Sequence, residues 1–221
     1  GDGEMPLSWK AYLKEKNRIY LTRQGIEAKK RYLRLFLEGL QARGIDVAAT
    51  CAFLELQNEL YLRLDQWPFD RTHGVVQGVD GRDYDMARDE DRRALAVNGL
   101  RTYHRECVAA AKAVVPELLV GEGIFTPAAV GWDRAQAQGW RPKPGRGVHQ
   151  RLPPLAADLL DNGLDVLDIH LYERRPKATT AEFVKSDLDS TGSSFSATTQ
   201  STFPSRRPVP ASPGNLVDDE K

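Results

Sequence analysis

Phe53-Leu54-Glu55-Leu56-Gln57-Asn58-Glu59-Leu60-Tyr61 is the stretch on which the reading of this chain turns. Leu54 and Leu56 alternate with Glu55, Gln57 and Glu59, the period-two pattern of an extended strand with one apolar and one polar face. The run before it, Val47 to Ala52, is apolar or small, with Thr50 and Cys51 its least oily members. Together they predict a buried strand that turns polar only at its C-terminal end. Such a strand suits a barrel whose strands lead into a site at that end. Glu59, directly after Asn58, stands at the mouth.

Upstream, Leu33, Phe36, Leu37 and Leu40 recur at helical spacing, so residues 25–43 predict a helix. Gly44 is placed to end it in the left-handed conformation. Residues 1–24 read as a loop with at most one helical turn. Downstream, residues 62–87 are too long for a minimal connection and too irregular for an element, with a Gly-Val-Asp-Gly turn at 78–81. Long loops in compact domains are functional or disordered, and Trp67 and Phe69 favour function. Residues 89–115 predict the clearest helix, on the stripe Leu100, Tyr103, Cys107, Ala110 or Ala111 and Val114. Asp89, Glu90 and Asp91 suit its dipole and Pro116 closes it.

Residues 118–125 predict a second buried strand. A second long loop, 126–150, carries Trp132 and Trp140. A short helix over 154–162 ends near Gly163, and 164–172 predicts a third strand. There Leu167, Ile169 and Leu171 share one parity while Asp168, His170 and Tyr172 share the other, which repeats the logic of the first strand. Residues 179–189 are weakly helical. Residues 190–221 form a Ser-, Thr- and Pro-rich tail with no apolar stripe, like a linker or an out-of-frame end.

Composition removes several classes of partner. The 221 residues hold 31 basic and 31 acidic side chains, so no net charge points to nucleic acid or an anionic membrane. No apolar run approaches the ~20 residues that span a bilayer. The chain starts without a methionine or a signal pattern and reads as a processed or incomplete product, which leaves its compartment undetermined. Cys51 and Cys107 lack metal-binding spacing and read as buried thiols. His73, His104 and His149 show no ligand spacing and read as surface residues, and no metal or cofactor is expected.

Helices alternate with strands, which means right-handed crossovers and a parallel sheet. A doubly wound sheet and a (β/α)8 barrel compete. No glycine-rich phosphate fingerprint follows any strand, and polar strand ends beside aromatic loops favour the barrel. Only three strands are found, where a full barrel takes roughly 250 residues. The expected fold is therefore a partial (β/α)8 barrel over residues 1–189, followed by the tail at 190–221.

Three segments carry a resemblance. Leu54-Glu55-Leu56-Gln57-Asn58-Glu59 resembles the end of the fourth strand in clan A glycoside hydrolases, where an Asn-Glu pair supplies the general acid/base. Val115-Pro116-Glu117-Leu118-Leu119-Val120, continuing to Phe125-Thr126-Pro127, resembles the helix exit and fifth strand of cellulase-like, family 5-type members. Asp168-Ile169-His170-Leu171-Tyr172 resembles their sixth strand, with its His-x-Tyr pair. The resemblance implies hydrolysis of a β-linked glucan or mannan, with Glu59 as proton donor and Asn58 holding a sugar hydroxyl. His170 and Tyr172 would orient a second carboxylate, and Trp67, Trp132 and Trp140 would stack on sugar faces.

The family pattern then breaks. A retaining enzyme needs a second carboxylate about 5 Å from the first, and Glu173, Glu182 and Glu220 do not end apolar strands. No nucleophile is assigned, and little turnover is expected. Duller readings stay open: Glu59 as a structural carboxylate, His170 as a core histidine, the tryptophans as packing lids, and Glu122 as a polar residue tolerated in a tight strand. The alternative function is a carbohydrate-binding α/β protein without chemistry.

Overall fold

The computed structural model describes residues 15–133, 136 and 150–171. Two helices open this part, α1 (Lys16–Leu21) and α2 (Arg23–Gln41). Thr22 is the hinge between them. Its hydroxyl donates to Arg18 O at 2.6 Å and accepts from Gly25 N at 3.1 Å, ending one helix and capping the next. Gly25 is required by the close approach at this corner, because a Cβ there would collide with Arg18 O and the Ile19 backbone. Gly44, with φ +75°, turns the chain after α2 as its position predicts.

Residues 47–52 depart from the expected strand. Asp46 accepts a hydrogen bond from Ala49 N at 3.0 Å and caps a single helical turn, α3 (Val47–Thr50). Only Val47 of that turn is buried, and Cys51 beyond it is exposed. An apolar run of this length suits helix or strand alike, and the Asp cap followed by two alanines decides for helix.

Strand β1 is therefore short, Leu54–Glu55. Residues 62–87, expected to be irregular, contain three short strands: β2 (Leu62–Arg63), β3 (Val75–Gln77) and β4 (Asp83–Asp85). β3 and β4 form an antiparallel hairpin across the glycine turn, where Gly81 N donates to Gly78 O at 3.0 Å. Val76 and Tyr84 cover Met86 and Leu95 in a small satellite core. Helix α4 (Asp89–Lys112) follows, then strand β5 (Val120–Phe125), a 3-10 turn (Pro127–Val130), strand β6 (Arg151–Leu152), a one-turn helix α5 (Ala156–Leu159) and strand β7 (Val166–His170).

The fold is mixed α/β. β1, β5 and β7 make a three-stranded parallel sheet in that order, with Glu55 opposite Gly121, Gly123 opposite Asp168 and Phe125 opposite His170. β2 and β6 pair antiparallel, Leu62 with Leu152 and Arg63 with Arg151, so the segments after β1 and β5 are tied to each other. Strand alternation puts Leu54, Val120, Ile124, Leu167 and Ile169 on the face that meets the helices, in one apolar core with Leu33, Leu37, Leu100 and Cys107. Tyr20 meets Tyr103 edge to face there, ring centroids 5.1 Å apart. Glu55, Gly121, Gly123, Asp168 and His170 share the opposite face. Among the described residues no helix is long and apolar enough to cross a membrane.

Candidate active site at the C-terminal edge of the sheet

The polar end of β1 is built by a bulge. Leu56 N donates to Gly121 O at 2.8 Å and Leu60 N donates to Gly123 O at 2.7 Å, so the β1 chain uses more residues than β5 to cover the same length. Gln57 keeps a ladder bond, its carbonyl accepting from Gly123 N at 3.1 Å, and the surplus, Asn58 and Glu59, is pushed out at the strand's C-terminal end, as bulges re-aim side chains. Glu59 adopts φ +51°, the sole non-glycine positive φ among the described residues and the kind of conformation that collects at functional sites. Lys29 reaches from α2 and donates to the displaced carbonyl of Leu56 at 2.7 Å; burial holds its ammonium below the ordinary lysine value.

The bulge carries Glu59 to β7, where Glu59 Oε1 accepts from His170 Nδ1 at 3.3 Å. The imidazole's other nitrogen, Nε2, lies 3.5 Å from Asp168 Oδ2 and 3.9 Å from Glu55 Oε1. Three carboxylates thus surround one histidine. Glu55 and Asp168 lie on the polar faces of their strands, and the parity they share with Glu59 and His170 is the sequence signal that they join the site. Gly123 makes the cluster possible, because the Glu55 side chain lies across β5 in the space a Cβ would fill. Burial raises the Glu55 carboxyl above the ordinary range; Asp168 and Glu59 push it the same way, while His170 opposes. Glu55 Oε1 is enclosed without a hydrogen-bond partner among the described residues.

Chemically, a carboxyl held by an imidazole can deliver and recover a proton, and the surrounding negative charge favours a cationic centre in front of it. Glu55, Asp168 and His170 each offer one atom, all within 4.8 Å of one another, and are the described residues able to hold a metal ion.

The remaining expected residues fall in different places. Asn58 is exposed on the crest of the bulge, next to Glu59. Trp67 is half-buried between the main and satellite cores, under the Arg18 guanidinium at 5.1 Å. Trp132 is 4% exposed and packed into the core, so its faces are closed as it stands. Trp140, Tyr172, His149, Glu173, Glu182 and Glu220, the helix at 179–189 and the tail at 190–221 lie outside the described residues.

His104 is not the surface residue its spacing suggests. It is fully buried on α4, where Nε2 meets Glu122 Oε2 at 3.1 Å and Nδ1 meets the Asn162 amide at 3.0 Å. Cys51, read as buried, is exposed, whereas burial pushes the Cys107 thiol up to about 12. Asn17, which lies in no sequence motif, positions the rim. Its amide donates to Arg63 O at 2.7 Å and Trp67 O at 2.9 Å and accepts from Arg63 N at 2.7 Å, fixing the segment after β1 to α1.

Comparison of the chain with known proteins gives no match to a family model, a curated protein or a solved structure.

Proposed function

We propose that Glu59 is the proton donor of a glycoside hydrolase site acting on a β-linked glucan or mannan, and that β1, β5 and β7 are the fourth to sixth strands of a (β/α)8 barrel. The observation that carries this reading is the Glu59–His170 contact of 3.3 Å at the C-terminal ends of two parallel strands, where barrel enzymes place their chemistry. The one-sided arrangement supports it further. Leu33, Leu37 and Leu100 of the helices share a core with Leu54, Val120 and Ile124 of one sheet face, while Glu55, Asp168 and His170 gather on the other, an arrangement that suits the outside and inside of a barrel. In this role Glu59 protonates the leaving oxygen and then activates water, while the carboxylates about His170 favour the oxocarbenium-like sugar. No nucleophile is assigned among the described residues, so turnover is expected to be slow.

The test uses aryl β-glycosides with good and poor leaving groups on the full chain and on Glu59→Gln. A general acid predicts a loss of about 10²–10⁴-fold for poor leaving groups and a much smaller loss for good ones. Equal losses on both would reduce Glu59 to a structural carboxylate. The non-catalytic alternative draws on the exposed crest at Asn58, a ready hydrogen-bonding group for a saccharide. It predicts that calorimetry finds undiminished oligosaccharide affinity in Glu59→Gln and that the parent chain has no hydrolysis to lose.

A further inference from the structure

Two arginines face each other across the short ladder between β2 and β6. Arg63 is directly opposite Arg151, while the neighbouring pair, Leu62 and Leu152, is buried. Like charges directly opposite destabilise an antiparallel pair, so this arrangement calls for a counter-charge. Arg63 has one, donating through Nε and Nη2 to the two oxygens of Asp65 at 2.8 and 2.5 Å. Arg151 has no acidic partner among the described residues. Its guanidinium lies instead over two rings, 4.7 Å from the Tyr61 centroid and 5.9 Å from that of Phe125.

A third cation joins them. The Lys16 ammonium is 3.5 Å from the Tyr61 centroid, on a residue only 5% exposed. Burial first and Arg151 second hold it down to about 8, with Glu122 and Glu59 pulling the other way. This cationic platform adjoins the proton-donor site. Tyr61 follows Glu59 by two residues, and Phe125 is the register partner of His170.

We propose that Arg151, with Lys16 beside it on Tyr61, forms a subsite for the carboxylate of an acidic sugar neighbouring the bond presented to Glu59. The inference deepens the glycoside hydrolase reading and rests on it for the saccharide. A guanidinium matches a carboxylate through two parallel hydrogen bonds. Lying over the Tyr61 ring, the guanidinium has no acidic side chain among the described residues to take up its donors. A bound carboxylate also supplies the charge that the Arg63–Arg151 pairing lacks.

Calorimetry on the full chain tests this with a neutral β-linked disaccharide, the matching disaccharide bearing one glucuronate, and inorganic sulfate. The glucuronate form is expected to bind about tenfold tighter or better, a charge-assisted pair's worth. Arg151→Gln should remove that preference and leave the neutral sugar unchanged, and Arg151→Lys should keep part of it. Thermal melting guards against misfolding: Arg151→Gln is expected to melt no lower than the parent, because a like-charge contact is relieved. Equal binding of both disaccharides, or indifference to Arg151→Gln, overturns the subsite and leaves the role of Glu59 standing. Sulfate binding as tightly as the acidic disaccharide also overturns it, reducing the platform to a general anion site. Arg151-dependent binding of the acidic sugar without Glu59-dependent hydrolysis keeps the subsite and removes the enzyme reading.

Discussion

His104 Nε2 stands 3.1 Å from Glu122 Oε2, both side chains fully enclosed between α4 and β5. Glu122 points into the helices, whereas its neighbour Gly123 opens toward Glu55 and His170, so this pair braces the site strand from behind. Burial holds His104 at about 3, below its ordinary 6.5, and raises Glu122 well above 4.5. The folded pair therefore carries one proton across the middle of the pH range.

A pH signature follows from that proton. Between pH 4.5 and 6.5 the unfolded chain also holds one proton on these two residues, on the histidine, so the pair's contribution to stability is flat. In Glu122→Gln only the depressed histidine remains. Its contribution is present above 6.5 and is lost as pH falls from there toward 3, at about 1.4 kcal/mol per pH unit. Urea denaturation at pH 5, 6 and 7 should show the variant losing ground to the parent at that slope. Parallel curves would mean that the two residues do not share a proton.

Gly123→Ala tests the packing in front of the same strand. Its Cβ would fall on Glu55 Oε1, with Glu55 Cδ at 2.9 Å, so the carboxylate must leave its place beside His170. A loss of about 1–3 kcal/mol is expected. Most of it should vanish when the substitution is made in Glu55→Ala, a coupling that a double-mutant cycle reads directly. Additive losses would show that Glu55 does not fill that space.

Gly25→Ala should be worse, because the obstacle is backbone. Its Cβ would lie 2.6 Å from Ile19 Cα and collide with Arg18 O. Alanine's better helix propensity, worth about 1 kcal/mol, cannot offset a rigid clash. A net destabilisation of about 2 kcal/mol or more is expected from chemical denaturation. An unchanged midpoint would mean that α1 and α2 do not meet so closely.

Asn17→Leu removes the anchor of the rim segment. Arg63 N, Arg63 O and Trp67 O lose their partner together, at a cost of about 1–3 kcal/mol for each buried group left unpaired. Hydrogen exchange at the Arg63 amide should accelerate more than exchange within α4. Uniform acceleration would assign Asn17 to global stability rather than to the rim.

Periodicity made much of the frame legible. The stripes of 25–43 and 89–115 became α2 and α4, and the apolar run at 118–125 became β5. Alternation at 164–172 marks β7, and Gly44 and Gly163 adopt positive φ where the helices read at 25–43 and 154–162 are expected to end. Of the strand expected over 53–61 and the run before it, Leu54–Glu55 forms a regular strand and Leu60 a single bridge to Ile124, while an Asp cap draws Val47–Thr50 into a helical turn. The β3–β4 hairpin is not legible in the sequence because strands of three residues leave almost no periodic signal.

Local pattern decided the longer elements, since period, caps and turn residues act within a few positions of the chain. It also set Glu59 and His170 on the polar sides of their strands. Which polar groups would meet was decided only in three dimensions. A bulge moved Glu59 onto His170, a missing Cβ at Gly123 admitted Glu55, and α4 buried His104 against Glu122. Those contacts join residues far apart in sequence, and burial and charge depend on everything packed around them rather than on near neighbours.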